Sequence, residues 1–511
     1  MTREGTAPAT AAVLLSGAAF GAAAAFLGAG VVAGTWPRGW TALGCALALV
    51  AAGVTGLVAS RRSRTAAEPQ DGVPGPNLAK ADGGTASGRS PALVAGVVWL
   101  LALAAAGTWG LMVAGDDDDD DEEGRASGKP AATASASAAP RKAGIAWSVP
   151  PVGAKYDEGV GAWALGDAVA QGRLDGLFAY DSATGAVRWN VSAPTREALC
   201  GMSSDAEQGI GLIAHGRHEK ACAELLAVRV SDGKVMWRRT LTGEGLLPRG
   251  AAVGGGTAVT AEDGAVRGRS SETGEQRWQR PLAKGCGVLA VDADAGRTLV
   301  VEQCGKGARL VALDTRTGAR QWLRELPVES RAVAAVVSVS PVVVAVHEDD
   351  KRGTRAFLGF DDKGAPTVSI PLSGPEGLLA APGEVGDGRT ARIVVRDGRL
   401  ITTAERDSIV PDRVVAFSLT DGRKVWEYAS QHQAEAVATE RDGRVAVLEE
   451  YVGARIVLLD PATGKAGTVI APEDREARLS IEPELIVAPD GRHIVVNHLL
   501  MEAEPSAFAL R

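Results

Sequence analysis

Residues 312–322 read ALDTRTGARQW, and this stretch decides the fold. A short apolar run enters Asp314, the segment from Asp314 to Gly318 makes a turn, and Trp322 stands on the strand beyond it. Asp and Thr close such a turn through side-chain bonds to the backbone, and Gly supplies positive φ. Four further copies follow the same plan: AYDSATGAVRW at 179–189, VRVSDGKVMW at 228–237, GRSSETGEQRW at 268–278 and AFSLTDGRKVW at 416–426. Degenerate copies lie at 359–368 (GFDDKGAPTV) and 458–468 (LLDPATGKAGT). The turn glycines Gly185, Gly233, Gly274, Gly318, Gly364, Gly422 and Gly464 are spaced by 41 to 58 residues. A period of this size, carried by short apolar strands, is that of a propeller blade.

Six of the eleven tryptophans (Trp147, Trp189, Trp237, Trp278, Trp322 and Trp426) share one register of the repeat. An indole at this position can fill the space between two blades and give its N–H to a backbone carbonyl. Val368 and Thr468 occupy the same slot in the degenerate copies, so the slots number eight. The ends of the chain complete the count. Residues 145–149 (IAWSV) read as an outermost strand with no blade before it, and 506–510 (SAFAL) as a third strand with no turn after it. Together they predict one blade shared between the two ends, which closes the ring and removes long exposed edges.

Three apolar stretches precede the repeats, at about 9–36, 40–60 and 91–115. Each is long enough to cross about 30 Å of hydrocarbon as a helix. Arg61, Arg62, Arg64, Lys80 and Arg89 lie in the 61–90 loop, whereas the loop between the first two spans holds only Arg38. Basic residues mark the cytoplasmic side, so the tail (1–8) and the 61–90 loop are expected inside and the C-terminal domain outside. The 61–90 loop is Gly/Ala/Pro/Ser-rich and reads as a flexible connector. Residues 116–123 are six Asp and two Glu. With the Ala/Ser/Pro-rich segment to 143, they read as a solvated, self-repelling stalk rather than a shaped cation site.

The formal net charge is −8, and the repeats carry no basic stripe, which argues against nucleic acid as a partner. Of five cysteines, Cys45 lies in a span and Cys200, Cys222, Cys286 and Cys304 lie among the repeats. An even number in an exported domain fits disulfides. Three pairings are possible. Cys200–Cys222 and Cys286–Cys304 are preferred, because each keeps both cysteines in one blade at matching stages of the repeat. His215 and His218 beside Cys222 make a poor zinc pattern and read as a solvated loop. Residues 347–352 read as an exposed hairpin tip. Neither a G-x-S-x-G elbow nor a phosphate-binding G-x-x-x-x-G-K-[ST] loop occurs.

The repeats resemble PQQ-like propeller repeats, whose hallmark A-x-D-x-x-T-G-x-x-x-W is met at every position by 312–322 and 179–189. That family includes the quinoprotein dehydrogenases and the non-enzymatic outer-membrane assembly lipoprotein BamB. The resemblance covers about 144–511 and implies eight blades. It also implies, for a dehydrogenase, PQQ and Ca²⁺ on the axis, a vicinal Cys-Cys disulfide stacked on the quinone, an Asp base and Glu/Asn calcium ligands. This chain has no Cys-Cys pair, and no Asp, Glu or Asn in it matches those roles. The expectation is therefore an all-β eight-bladed β-propeller (144–511) preceded by three transmembrane α-helices, in a bacterial plasma membrane. It would bind an envelope protein or ligand through its loops without catalysis or cofactor. A PQQ-dependent membrane dehydrogenase is the alternative, and a ligand sensor acting through a partner membrane protein is a third reading.

Overall fold

Each repeat copy folds as the last two strands of a four-stranded antiparallel blade. In the computed structural model, residues 141–511 are described apart from 151–156, 218–219, 263, 351, 382–390, 473–476 and 501–503. They fall in one compact unit, Ser127–Arg511. The three expected spans, the cytoplasmic segments and the stalk up to residue 140 lie outside the described residues. Among those described, no helix is long and apolar enough to cross a membrane.

Seven blades follow in chain order: 157–192, 197–240, 251–281, 286–325, 332–371, 393–429 and 433–472. The eighth takes three strands from 481–510 and its outermost strand, Ile145–Val149, from the other end of the described chain. There Trp147 pairs with Ala509 and Val149 with Ala507 in antiparallel register. Gly144 and Arg511 exchange backbone hydrogen bonds of 3.3 and 3.2 Å just beyond. Eight apolar clusters accompany the eight blades, and each is shared by two neighbours. One of them joins Val169 of blade 1 to Trp147, Ile494 and Ala509 of blade 8, so the ring is closed by the same kind of core that holds every other junction.

The turn copies explain the junctions. Asp314 Oδ1 accepts Thr317 N–H at 2.8 Å and Thr317 Oγ1–H at 2.7 Å, and Asp181 and Asp460 repeat the pattern. The seven turn glycines have φ between 68° and 77°. Each slot indole donates Nε1–H to a carbonyl in the turn of the next blade, at 2.7–3.0 Å. The indole lies flat against that turn. A Cβ on Gly318 would stand 2.5 Å from Trp278 Cδ2, so the glycine is required by the neighbouring blade as well as by its own φ. Val368 takes the same place against Gly422.

Thr468 has no such turn to meet, because the third and fourth strands of blade 8 come from opposite ends of the described chain. The junction of blades 7 and 8 is held differently. Arg141–Ala143, read from the sequence as the end of the stalk, forms a strand parallel to Ile470–Pro472 on the outer edge of blade 7. Buried His493 of blade 8 meets Glu440 of blade 7 at 2.6 Å.

Candidate binding faces

Strands alternate in direction within a blade, so the connections sort onto two faces. The turn face carries the repeat turns and the loops between first and second strands. The hairpin face carries the second-to-third hairpins and the links from one blade to the next. The first strands of successive blades lie side by side and form the inner wall.

On the turn face, the segment from Ser203 to Glu207 of blade 2 ties together residues of blades 1, 3 and 4. Ser204 Oγ–H donates to Asp292 Oδ1 of blade 4 at 2.8 Å, passing blade 3. Glu207 Oε2 accepts Gly255 N–H of blade 3 at 2.8 Å, and the carbonyl of Ser203 accepts the indole N–H of Trp163 of blade 1 at 2.9 Å. Burial pushes the Asp292 carboxyl up to about 6, with the charges of Asp205 and Asp294 adding to the shift. Burial, then repulsion from Glu484, raises Asp205 as well. These carboxyls hold their protons more readily than exposed ones.

For a quinone–calcium centre the resemblance implies a vicinal disulfide and carboxylate ligands on the axis. The two disulfides join Cys200 to Cys222 and Cys286 to Cys304, separations of 22 and 18 residues, so neither is the vicinal pair the resemblance implies. On the turn face, Asp292 already accepts the Ser204 hydroxyl. The described residues offer such a group no vicinal disulfide to stack on. Cys286, Glu302 and Cys304 also lie close together. The cysteines are joined to each other, and buried Glu302 is bracketed by Arg280 and Arg309, so its charge is already matched.

The histidine and hairpin-tip readings change in the structure. His215 is buried on the strand Ile210–Arg217 with Nδ1 against Glu197, not in a solvated loop. His347 and Glu348 end a strand, Glu348 is buried, and the tip begins at Asp349. Burial alone would raise Glu348. The N–H groups of Thr354, Glu329 and Ser330 and the Ser330 hydroxyl outweigh it and hold the carboxyl low, as a staple for two loops.

The hairpin face of blades 6 to 8 carries what sequence reasoning missed. Ile409 is 94% exposed, Tyr451 65%, Val452 52% and Ile481 53%. The loop that presents Ile409 is clamped from beneath. Buried Arg413 pairs with Asp407 at 2.7 Å, Asp412 at 2.8 Å and Glu427 at 2.5 Å, and Asp412 accepts the N–H groups of Arg406 and Asp407. Asp412 is thereby held near 2, first by its bond to Arg413. Pro411 of the same loop accepts Ala434 N–H of blade 7 at 2.8 Å. His432, just before, packs its ring on Tyr451 at 4.4 Å. Burial and then the Arg455 charge lower the His432 pKa, so this ring is neutral at pH 7. Ala454 N–H bonds Ala477 O at 2.7 Å, and the chain from Ala477 leads to Ile481. These apolar side chains thus stand exposed on the hairpin face of three successive blades. A signal was present in the sequence: Tyr451-Val452 follows two glutamates at a hairpin tip, where Gly or Asn is usual.

A closed ring of eight four-stranded blades, locked by Asp-Thr-Gly turns and slot tryptophans, is the architecture of PQQ-like propellers. The family described as outer membrane protein assembly factor BamB matches residues 136–287, 179–359 and 221–401, together just over half of the chain. The chain belongs to this family of PQQ-like repeat propellers. No curated protein matches it. Among solved structures, BamB from Moraxella catarrhalis is similar at 18% identity, covering 72% of this chain and 97% of its own, with a TM-score of 0.46. A computationally designed protein, Ika8, matches at 14% identity over 72% of this chain and 99% of its own, with a TM-score of 0.48. The quinohemoprotein alcohol dehydrogenase ADHIIG from Pseudomonas putida HK5 matches at 13% identity over 73% and 77%, with a TM-score of 0.46.

Proposed function

We propose that this protein is a non-catalytic binding scaffold, a propeller anchored in a bacterial plasma membrane and held outside it to engage an envelope protein. One observation carries the reading. Four exposed apolar side chains (Ile409, Tyr451, Val452, Ile481) stand on the hairpin face of blades 6 to 8, and the loop that carries Ile409 is fixed by a buried ionic clamp. Exposed apolar surface on rigid loops is how a folded scaffold meets a partner. BamB, in the description of its family, is an assembly factor, which agrees with a role in protein contacts. The membrane anchor rests on the three apolar stretches and on the basic residues of the 61–90 loop. The even set of propeller cysteines agrees with an oxidising location.

Photo-crosslinking in intact cells tests this. A crosslinking amino acid at Ile409 or Tyr451 should give one discrete adduct, and one at Glu272 on the turn face should give none. The same pattern at all three positions, or no adduct at any, removes the reading. Addition of PQQ with Ca²⁺ should leave both the visible absorbance and the melting temperature of the full chain unchanged. A rise in either would favour a dehydrogenase.

A further inference from the structure

The two disulfides stand in different surroundings. Cys222 is half-buried against the apolar cluster that holds Trp237, Leu241 and Leu246, and Cys200 Sγ lies 3.5 Å from the carbonyl oxygen of Ala214. Apolar packing and the negative end of a carbonyl both disfavour a thiolate there. Cys286 and Cys304 are directly opposite each other on the first two strands of blade 4, and each is half-buried. Both sulfurs lie within 4.8 Å of a carboxylate oxygen of Glu302. That carboxylate is fully buried and carries two guanidinium groups, Arg280 of blade 3 on one oxygen and Arg309 on the other at 2.7 Å. One anion between two cations leaves a positive charge in excess beside the bridge. Lys284 before Cys286 and Lys306 after Cys304 are both exposed. A half-exposed sulfur beside positive charge is the setting in which a cysteine reacts as thiolate.

We propose that Cys286–Cys304 is a reversible thiol–disulfide exchange site, opened by the thiolate of a dithiol reductant, whereas Cys200–Cys222 is a permanent staple. The incoming thiolate attacks one sulfur of the bridge. The S–S bond breaks, and its electron pair leaves with the other sulfur as a thiolate beside Arg280 and Arg309. A leaving thiolate of lowered pKa departs faster. The second thiol of the reductant then loses its proton to water and attacks the mixed disulfide. The reductant departs as its own disulfide, two electrons have passed to the protein, and its two cysteine sulfurs take protons from water as their pKa values dictate. The blade stays folded through the cycle, because backbone pairing from Gly287–Gln303 to Ala293–Thr298 joins the two strands whether the bridge is closed or open. This assignment is independent of the scaffold reading.

The test treats the full chain in phosphatidylcholine nanodiscs with dithiothreitol at neutral pH, well below the melting temperature. Differential alkylation and peptide mass spectrometry follow each bridge over time. Cys286–Cys304 should open at least roughly tenfold faster than Cys200–Cys222, and oxidised dithiothreitol should close it again. Glutathione, a monothiol, should give a mixed disulfide on Cys286 or Cys304. Arg280→Gln leaves the charges around Glu302 balanced and should slow opening roughly threefold to tenfold. Glu302→Gln leaves both cations uncompensated and should speed it. A substitution that merely loosened the blade would speed opening in both variants, so the opposite signs separate charge from damage. Arg309→Gln repeats the first arm if Arg280→Gln does not fold. Equal rates at the two bridges, faster opening of Cys200–Cys222, failure to close again, or opening that neither arginine substitution slows overturns the proposal.

Discussion

Replacing Gly318 with alanine should harm the fold twice, and the two parts can be measured separately. The first part is backbone. An L-residue at the φ of 70° found here costs about 1–2 kcal/mol. The second is the neighbouring blade. The new Cβ would lie 2.5 Å from Trp278 Cδ2, and forcing the indole aside is an overpacking cost of about 1–3 kcal/mol. Trp278→Ala alone should cost about 3–5 kcal/mol, because it empties a buried slot and loses the 3.0 Å bond to the carbonyl of Thr315. With the indole gone, Gly318→Ala keeps only its backbone cost. The double variant should therefore be less destabilised than the sum of the singles, by about 1–3 kcal/mol. Gly305 is an internal control. Its φ is 63°, and nothing lies within 4 Å of a built Cβ, so Gly305→Ala should show the backbone part alone. Urea unfolding of the full chain in detergent, followed by far-ultraviolet circular dichroism, reads all four variants. If Gly318→Ala costs no more than Gly305→Ala, or costs the same with and without Trp278, the inter-blade latch is refuted.

Two further outcomes are expected. An acid whose folded value lies above its unfolded value favours the fold while protonated, so the contribution of Asp292, raised to about 6, is present near pH 4 and fades as pH rises through 6. Unfolding free energy should fall by about 2 kcal/mol more in the wild type than in Asp292→Asn across that window, and parallel pH curves for the two would contradict the burial argument. Converting Cys200 and Cys222 to serine opens a bridge between residues 22 apart and should lower stability by about 3 kcal/mol, read by the same urea assay with and without reductant. Reductant should then add a further loss through Cys286–Cys304, and its having no effect would count against that bridge.

The repeat made much of the architecture readable before any coordinates. Asp, Thr, Gly and Trp have local roles, so their spacing reports blade number, and the strand-like runs at 145–149 and 506–510 report where the ring closes. Features set by distant packing were not readable. Trp163 is a buried inner-strand indole outside the repeat register, and its partner is the carbonyl of Ser203 in the next blade. The reach of Ser204 to Asp292 depends on how far one loop bends inward across the ring. His215 lies beside Gly and Arg, which suggested solvent, but strand pairing turns it inward. The exposed apolar residues of the hairpin face were invisible for a related reason. Ile409, Tyr451 and Ile481 come from three blades, and only the closed ring brings them to one face.

Hydrogen exchange read by mass spectrometry on the full chain in nanodiscs tests the closed ring most directly. Amides of Ala507–Leu510 should exchange as slowly as those of His493–Leu500, and the inward-facing amides of the edge strand Ile145–Val149 should be protected far above open chain, because all three strands are hydrogen-bonded members of one blade. If 145–149 exchanges at the rate of open chain while 493–500 stays protected, the two ends do not share a blade, and the account of this protein as a closed propeller is wrong.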